Sequence, residues 1–279
     1  MKVDLSNKTA VLTGAGGILA SNFAIHMARC GARIAVLDIN LEAAEKTAKA
    51  IREEGGQAIA IACNVLEKES VEEAERKVVE EYGEYNILVN AAGGNNIKVS
   101  TSSEHFNLED VADPDKISFF DLDNKLFDRV MDLNLLGTFI PTQVFTKGLM
   151  KAKNPCIINI SSMTSYVGLT KVVAYGCAKA AVNNLTTWLT NHLGPLNIRV
   201  NAIAPGFFIT HQNRQMMTNP DGSLTERSQK VIAHTPAGRM GEPDDLIGLL
   251  LFLCDETASG YINGTVIPVD GGFMAVSGV

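Results

Sequence analysis

The sequence lacks the residue patterns that hold metals, disulfides or membranes. Its five cysteines (Cys30, Cys63, Cys156, Cys177 and Cys254) are odd in number and contain no C-x-x-C pair. That argues against a disulfide framework and points to reduced thiols in a cytosolic protein. The five histidines show no H-E-x-x-H or similar spacing, so no metal site is expected. No apolar run approaches the ~18–20 residues of a membrane span. The longest, Leu246 to Cys254, reads as a buried helix, and the opening Met1-Lys2-Val3-Asp4-Leu5-Ser6 has no signal-peptide stretch. A cytoplasmic protein without membrane association is therefore expected. Positive charge is also short. A formal net charge of -7 argues against broad nucleic-acid binding.

What the sequence does contain is alternation. Apolar, β-branched runs recur at Ala10–Leu12, Ile34–Leu37, Ala58–Ala62, Ile87–Val89, Ile157–Ile160, Val200–Ile203 and Val266–Val269. Stretches of helical period lie between them, such as Leu41, Ala44, Ala48 and Ile51, or Val71, Ala74 and Val78. Near-continuous apolar strands imply a sheet covered on both faces. The expectation is one α/β domain over residues 1–279, with about six helices around a Rossmann-like, doubly wound, mostly parallel seven-stranded sheet. Two segments break the rhythm: an acidic insert at 94–124 and a loop at 207–240 rich in aromatics, amides and Arg. Both follow strands at their carboxyl ends, where open α/β sheets bind ligands.

The first such end carries Thr13-Gly14-Ala15-Gly16-Gly17-Ile18 ahead of a helix with an apolar stripe of Phe23, Met27 and Cys30. Glycines let the backbone approach a pyrophosphate, and a helix N-terminus supplies free N–H groups. A ligand-free tight turn is the plainer alternative, because Leu19 breaks G-x-G-x-x-G. Asp38, about twenty residues on, ends the second strand, where an acid can accept from an adenosine ribose. Its charge would repel a 2′-phosphate, and the adjacent Ile39 offers no cation, which favours NAD over NADP. Alternatively, Asp38 caps the helix that starts near Leu41.

Tyr175-Gly176-Cys177-Ala178-Lys179 places a phenol and an ammonium on one helix face. A free phenol titrates near ~10 and is a poor base at neutral pH, so a nearby cation would favour the phenolate. Taken alone, the spacing is common by chance, and a solvated helix pair is the better reading.

Together with Asn90-Ala91-Ala92-Gly93, Asn134, Ser161-Ser162 and Pro205-Gly206, these motifs stand in the order of the short-chain dehydrogenases, and the chain resembles that family over nearly its whole length. The resemblance implies an NAD-dependent oxidoreductase acting on a CH–OH group. Ser162, thirteen residues before Tyr175, would bind the substrate oxygen. Tyr175 would be the base in oxidation and the acid in reduction, and Lys179 would hold the nicotinamide ribose and lower the tyrosine pKa. Asn134 would position a water linking Lys179 to solvent. Gly14, Gly16, Gly17, Ile18, Asn64, Val65, Asn90, Ala91, Ala92, Gly93, Pro205 and Thr210 would complete the cofactor site. The family's T-G-x-x-x-G-x-G loop is altered: Ile18 and Ala20 stand where glycines are usual, so a loop one residue shorter, with Gly17 central, aligns better. Asn64 replaces a usual Asp.

The motifs Gly93-Gly94-Asn95, Pro205 to Arg214, Thr235 to Arg239, Asp270 to Phe273 and the ending Ser277-Gly278-Val279 are similar to the D-mannonate oxidoreductase (fructuronate reductase) branch. That implies a small-molecule sugar-acid substrate, and the wider family resemblance implies a homotetramer. Asn95, Lys98, Gln212, Asn213 and Arg214 are the candidate substrate contacts, with Arg214 favoured for the carboxylate. Competing readings are another polyol or sugar-acid dehydrogenase, such as one like gluconate 5-dehydrogenase, or a non-catalytic NAD sensor.

Overall fold

The computed structural model describes residues 3–210 and 214–276. Seven strands form the sheet: β1 (Thr9–Thr13), β2 (Arg33–Asp38), β3 (Gln57–Ala62), β4 (Ile87–Asn90), β5 (Cys156–Ile160), β6 (Arg199–Pro205) and β7 (Val266–Val269). Their order is β3-β2-β1-β4-β5-β6-β7, and every pairing is parallel. Each expected apolar run lies within one of them. The chain winds outward from β1 to β3 and then crosses to the other side of β1, so a crevice opens at the carboxyl ends of β1 and β4.

The longer helices are α1 (Ile18–Arg29), α2 (Leu41–Glu53) and α3 (Lys68–Tyr82), with the short α4 (Leu108–Ala112) in the insert. Then come α5 (Asn124–Met131), α6 (Gly137–Leu149) and α7 (Val173–Leu193). The short α8 (Arg214–Met217) and α9 (Glu226–Ala233) lie in the second loop, and α10 (Ile247–Cys254) and α11 (Glu256–Ser259) precede β7. Two apolar layers result. Phe23 and Met27 of α1, Ile51 of α2 and Leu250 of α10 pack on one face of the sheet. Val71 and Val78 of α3, Phe145 of α6 and Leu189 of α7 pack on the other.

Covering both faces leaves β1, β4, β5 and β6 buried at every residue. Three local expectations need correction. Leu41 is exposed, because it opens α2 ahead of the helix's buried stripe. Segment 246–254 is buried on one face only, with Leu249, Leu251 and Phe252 partly open. As the edge strand, β7 is half-exposed, and Pro268 sits there because an edge need not donate outward. No helix among the described residues is long and apolar enough to cross a membrane.

A polar chain crosses the second layer. Asn90 Nδ2 donates to Thr142 Oγ1 and to Asn159 Oδ1, both at 2.9 Å, and Asn159 Nδ2 donates to Thr186 Oγ1 at 2.9 Å. All four residues are buried, so no water can replace a lost partner. Asn159→Leu keeps the volume but leaves one Asn90 Nδ2–H without its acceptor, the bond to Thr142 remaining, and should cost about 1–3 kcal/mol. A lower urea midpoint with an unchanged m-value is expected; an unchanged midpoint would show the chain to be dispensable.

Candidate active site

A cavity of about 520 Å³ occupies the crevice. Gly14, Gly17 and Ile18 line it from the β1 side, Asp38 and Ile39 from β2, and Asn64 and Val65 from β3. Ala91, Ala92, Gly93 and Asn95 follow β4, Ser162 follows β5, Tyr175 and Lys179 come from α7, and Pro205 and Thr210 from β6. Residues spread over two hundred positions thus meet because parallel strands all end on one side.

At the β1 end, Gly14 has φ +64, and a Cβ there would lie 2.7 Å from Ala92 Cα, so the loop packs directly on the β4 loop. Gly17 is the N-cap of α1, with no side-chain cap and no acid in the first turn. The leading N–H groups of the twelve-residue helix have no intrahelical acceptors, and Ile18 and Leu19 both line the cavity. An uncapped positive helix end beside backbone stripped of side chains fits a diphosphate. Gly17 at the helix mouth agrees with the shorter loop. Gly16 does not line the cavity; its N–H donates to Asp38 Oδ2 at 2.9 Å, and a Cβ would strike Ala43.

Asp38 Oδ1 accepts from Asn40 N–H at 2.9 Å, while Asn40 itself caps α2 by accepting from Ala43 N–H. The capping alternative for Asp38 therefore falls away. Each Asp38 oxygen takes one bond and keeps acceptor capacity at the cavity wall for ribose hydroxyls. Ile39 is exposed beside it. Asn64 is more committed: its Oδ1 accepts from Leu66 N–H and its Nδ2 donates to Glu67 Oε1 at 2.8 Å. Asn90 needs correction, because it is buried in the polar chain rather than on the cavity wall.

At the chemical end, Ser162 heads a short turn, and its Oγ accepts from Thr164 N–H. Its neighbour Ser161 is held in a clamp: Ser161 Oγ donates to Asn183 Oδ1, and Asn183 Nδ2 donates to Ser165 Oγ at 2.8 Å. Asn183 was missed, although its place four residues past Lys179 was a signal for the same helix face. Lys179 Nζ donates to Ile160 O at 2.7 Å and lies 5.5 Å from the Tyr175 ring centroid.

Burial dominates both groups. It pushes the Tyr175 phenol up to about 12, against a downward pull from its hydrogen bond with Ser162. It pulls the Lys179 ammonium down to about 8. The expected lowering of the phenol by the cation is not what governs this pair; each group is driven toward its neutral form.

Asn134 lies in a single π-helical turn, Asp132–Leu136, between α5 and α6. It is fully buried: Oδ1 accepts from Gly94 N–H at 3.1 Å, and Nδ2 donates to Gly94 O and Val130 O. A Cβ at Gly93 would lie 2.6 Å from Asn134 Oδ1 and 3.2 Å from Lys179 Nζ. Asn134 thus ties the β4 loop at Gly94 to the end of α5, with Gly93 packed closely between it and Lys179, and does not line the cavity.

The substrate contacts divide. Asn95 lines the cavity. Lys98 is exposed on a 3-10 turn whose neighbours Ile97 and Val99 turn to the cavity and the interior, and Arg214 is exposed at the start of α8; neither lines the cavity. Gln212 and Asn213 lie outside the described residues. A cation that sequence reasoning missed, Arg227 of α9, stands in the wall instead.

The family model for enoyl-(acyl carrier protein) reductases matches residues 14–274. An uncharacterized oxidoreductase of Bacillus subtilis, UxuB, is 46% identical over 99% of this chain and 98% of its own. At 32% identity stand a 7α-hydroxysteroid dehydrogenase of Escherichia coli, over 96% of this chain and 94% of its own, and a 2-dehydro-3-deoxy-D-gluconate 5-dehydrogenase of Dickeya dadantii, over 98% and 97%. A crystal structure from Haemophilus influenza with bound NAD, provisionally described as a D-mannonate oxidoreductase, superposes with a TM-score of 0.95 at 45% identity, covering 99% of this chain and 98% of that one. A doubly wound sheet, an uncapped helix at its switch point and relatives matched end to end converge on one assignment: the chain belongs to the short-chain dehydrogenase/reductase family and is an oxidoreductase of alcohol and ketone groups.

Proposed function

We propose that the protein uses NAD to interconvert a secondary alcohol and a ketone on a sugar acid, with D-mannonate and D-fructuronate as the pair. The observation that carries this reading is the meeting of Ser162, Tyr175 and Lys179 in one cavity with the α1 N-terminus and Asp38. Two relatives support the substrate class: the Haemophilus structure and the Dickeya enzyme.

NAD, when bound, donates or accepts the hydride at the substrate carbon. Gly14, Gly17 and the leading N–H groups of α1 would hold its diphosphate, Asp38 its adenosine ribose, and Asn64 and Val65 would border the adenine. Lys179 keeps two N–H donors beyond its bond to Ile160 O and would spend them on the nicotinamide ribose. Pro205 and Thr210 would wall the nicotinamide side. In reduction, Tyr175 gives its hydroxyl proton to the carbonyl oxygen, which Ser162 orients; in oxidation the phenolate takes that proton back. Asn134 keeps Lys179 and the β4 loop in register.

Tyr175→Phe should lower turnover ~10²-fold or more while NADH affinity, read by fluorescence, stays near wild type. Near-normal turnover would remove Tyr175 from the chemistry. The pH profile has a defined sign. A phenol raised to about 12 keeps its proton through neutrality. Reduction should therefore vary little between about pH 6 and 8, whereas kcat/KM for oxidation should climb as the phenolate fraction grows about tenfold per unit. A flat oxidation profile would contradict this assignment.

The function itself is tested by following NADH absorbance with a panel of hexonates, keto-hexonates, neutral ketoses and a keto-steroid. D-fructuronate should be the best ketone, and NADH should outrun NADPH strongly, because a 2′-phosphate beside Asp38 is repelled. Preference for another keto-acid would keep the class and discard the pair; preference for the steroid would discard both.

The same reading places the protein in the cytoplasm as a homotetramer. Phe139 of α6, Trp188 of α7 and the half-exposed β7 offer apolar surface for twofold contacts. Light scattering should give about four times the chain mass of 29.9 kDa, and a monomeric mass at micromolar concentration would refute the assembly.

A further inference from the structure

The guanidinium of Arg227 is a cavity-wall cation without a part in the hydride chemistry. Among the described residues lining the cavity, the charged ones are Asp38 at the dinucleotide end, Lys179 beside Tyr175, and Arg227. Its side chain is only 15% exposed. Nη1 donates to Glu104 Oε1 at 3.0 Å and to Thr170 Oγ1 at 3.3 Å, and Nη2 donates to Thr170 O at 3.3 Å. The insert, the turn before α7 and the substrate-side loop therefore converge on one side chain.

These bonds engage three of the five guanidinium N–H donors. They leave Nε–H and one Nη2–H, the pair that grips a carboxylate side-on. The surrounding charge is uneven. Lys171 and Lys230 join Arg227 against Glu104 and Glu226, so three cations face two carboxylates. One more anion would balance them. Two residues of the wall, Asn95 and Thr164, each carry a buried side-chain oxygen, Oδ1 and Oγ1, with no hydrogen-bond partner among the described residues. Such atoms are costly to leave unmet, and hydroxyl groups would satisfy them.

Resting on the sugar-acid reading, we propose that Arg227 receives the substrate carboxylate while Asn95 and Thr164 meet its hydroxyls, so that the site selects small polyhydroxylated acids over neutral sugars. Glu104 then has two effects. It orients the guanidinium by its ion pair, and its charge opposes the arrival of a second carboxylate.

Titration calorimetry of D-mannonate and of uncharged D-mannitol into the NADH-saturated enzyme separates these effects. Arg227→Met should weaken D-mannonate about 10–100-fold, the loss of one charged hydrogen-bonded contact, and leave NADH affinity unchanged. D-mannitol should bind wild type far more weakly than D-mannonate does and should not respond to Arg227→Met. Glu104→Gln keeps a hydrogen-bond acceptor for Arg227 but removes the opposing charge, and should tighten D-mannonate about threefold or more. Unchanged D-mannonate binding by Arg227→Met, an equal loss for both ligands, or a loss on Glu104→Gln as large as on Arg227→Met would each overturn the anchor and leave the proposed reaction standing. If wild type ignores D-mannonate but binds another hexonate, the reaction assignment falls and the anchor is tested on that acid. If no hexonate binds wild type, both readings fall.

Discussion

The buried polar chain through Thr142, Asn90, Asn159 and Thr186 is the interaction on which the chemical end depends. It joins β4 and β5 to α6 and α7, the elements that carry or adjoin Asn134, Ser162, Tyr175 and Lys179. Apolar packing holds helices on a sheet but tolerates small slides, since it is not directional. Hydrogen bonds in a dry interior have one geometry, and missing it leaves polar groups unmet. Further along the same helices, Thr138 Oγ1 donates to Asn134 O, and Asn183 holds Ser161 and Ser165. Ser162, Tyr175 and Lys179 are thereby referenced to the strands of the sheet.

Given that frame, burial sets the electrostatics. Tyr175 and Lys179 are both driven toward their neutral forms by burial. The two ends of the cavity are otherwise opposite in character. Asp38 marks the dinucleotide end with a negative charge backed by Gly16 and Asn40. Arg227 marks the far wall with a positive one, anchored by Glu104 and Thr170.

Much of this was legible in advance. Strand positions followed from apolar runs, because a strand buried on both faces must be apolar throughout, and the parallel order followed from the helical stretches between them. Tyr175 and Lys179 share a face by helical period alone, and Gly14 marks its turn because a left-handed backbone disfavours a side chain. Where local rules met a competing partner, they misplaced residues. Asn90 turned inward to the polar chain, and Gly16 was spent on Asp38.

What the sequence by itself determined is the fold class, the cavity's position at the strand ends and the shared helix face of Tyr175 and Lys179, since each rests on contacts a few residues apart or on a repeated period. Which loop cation reaches the cavity was decided only by the tertiary structure. Lys98 and Arg214 sit in the expected segments yet are exposed, whereas Arg227 meets Glu104 across 123 positions and Thr170 across 57. No periodicity encodes such a meeting. It depends on how two irregular loops fold back over the sheet, and each guanidinium lies where its own donors find acceptors.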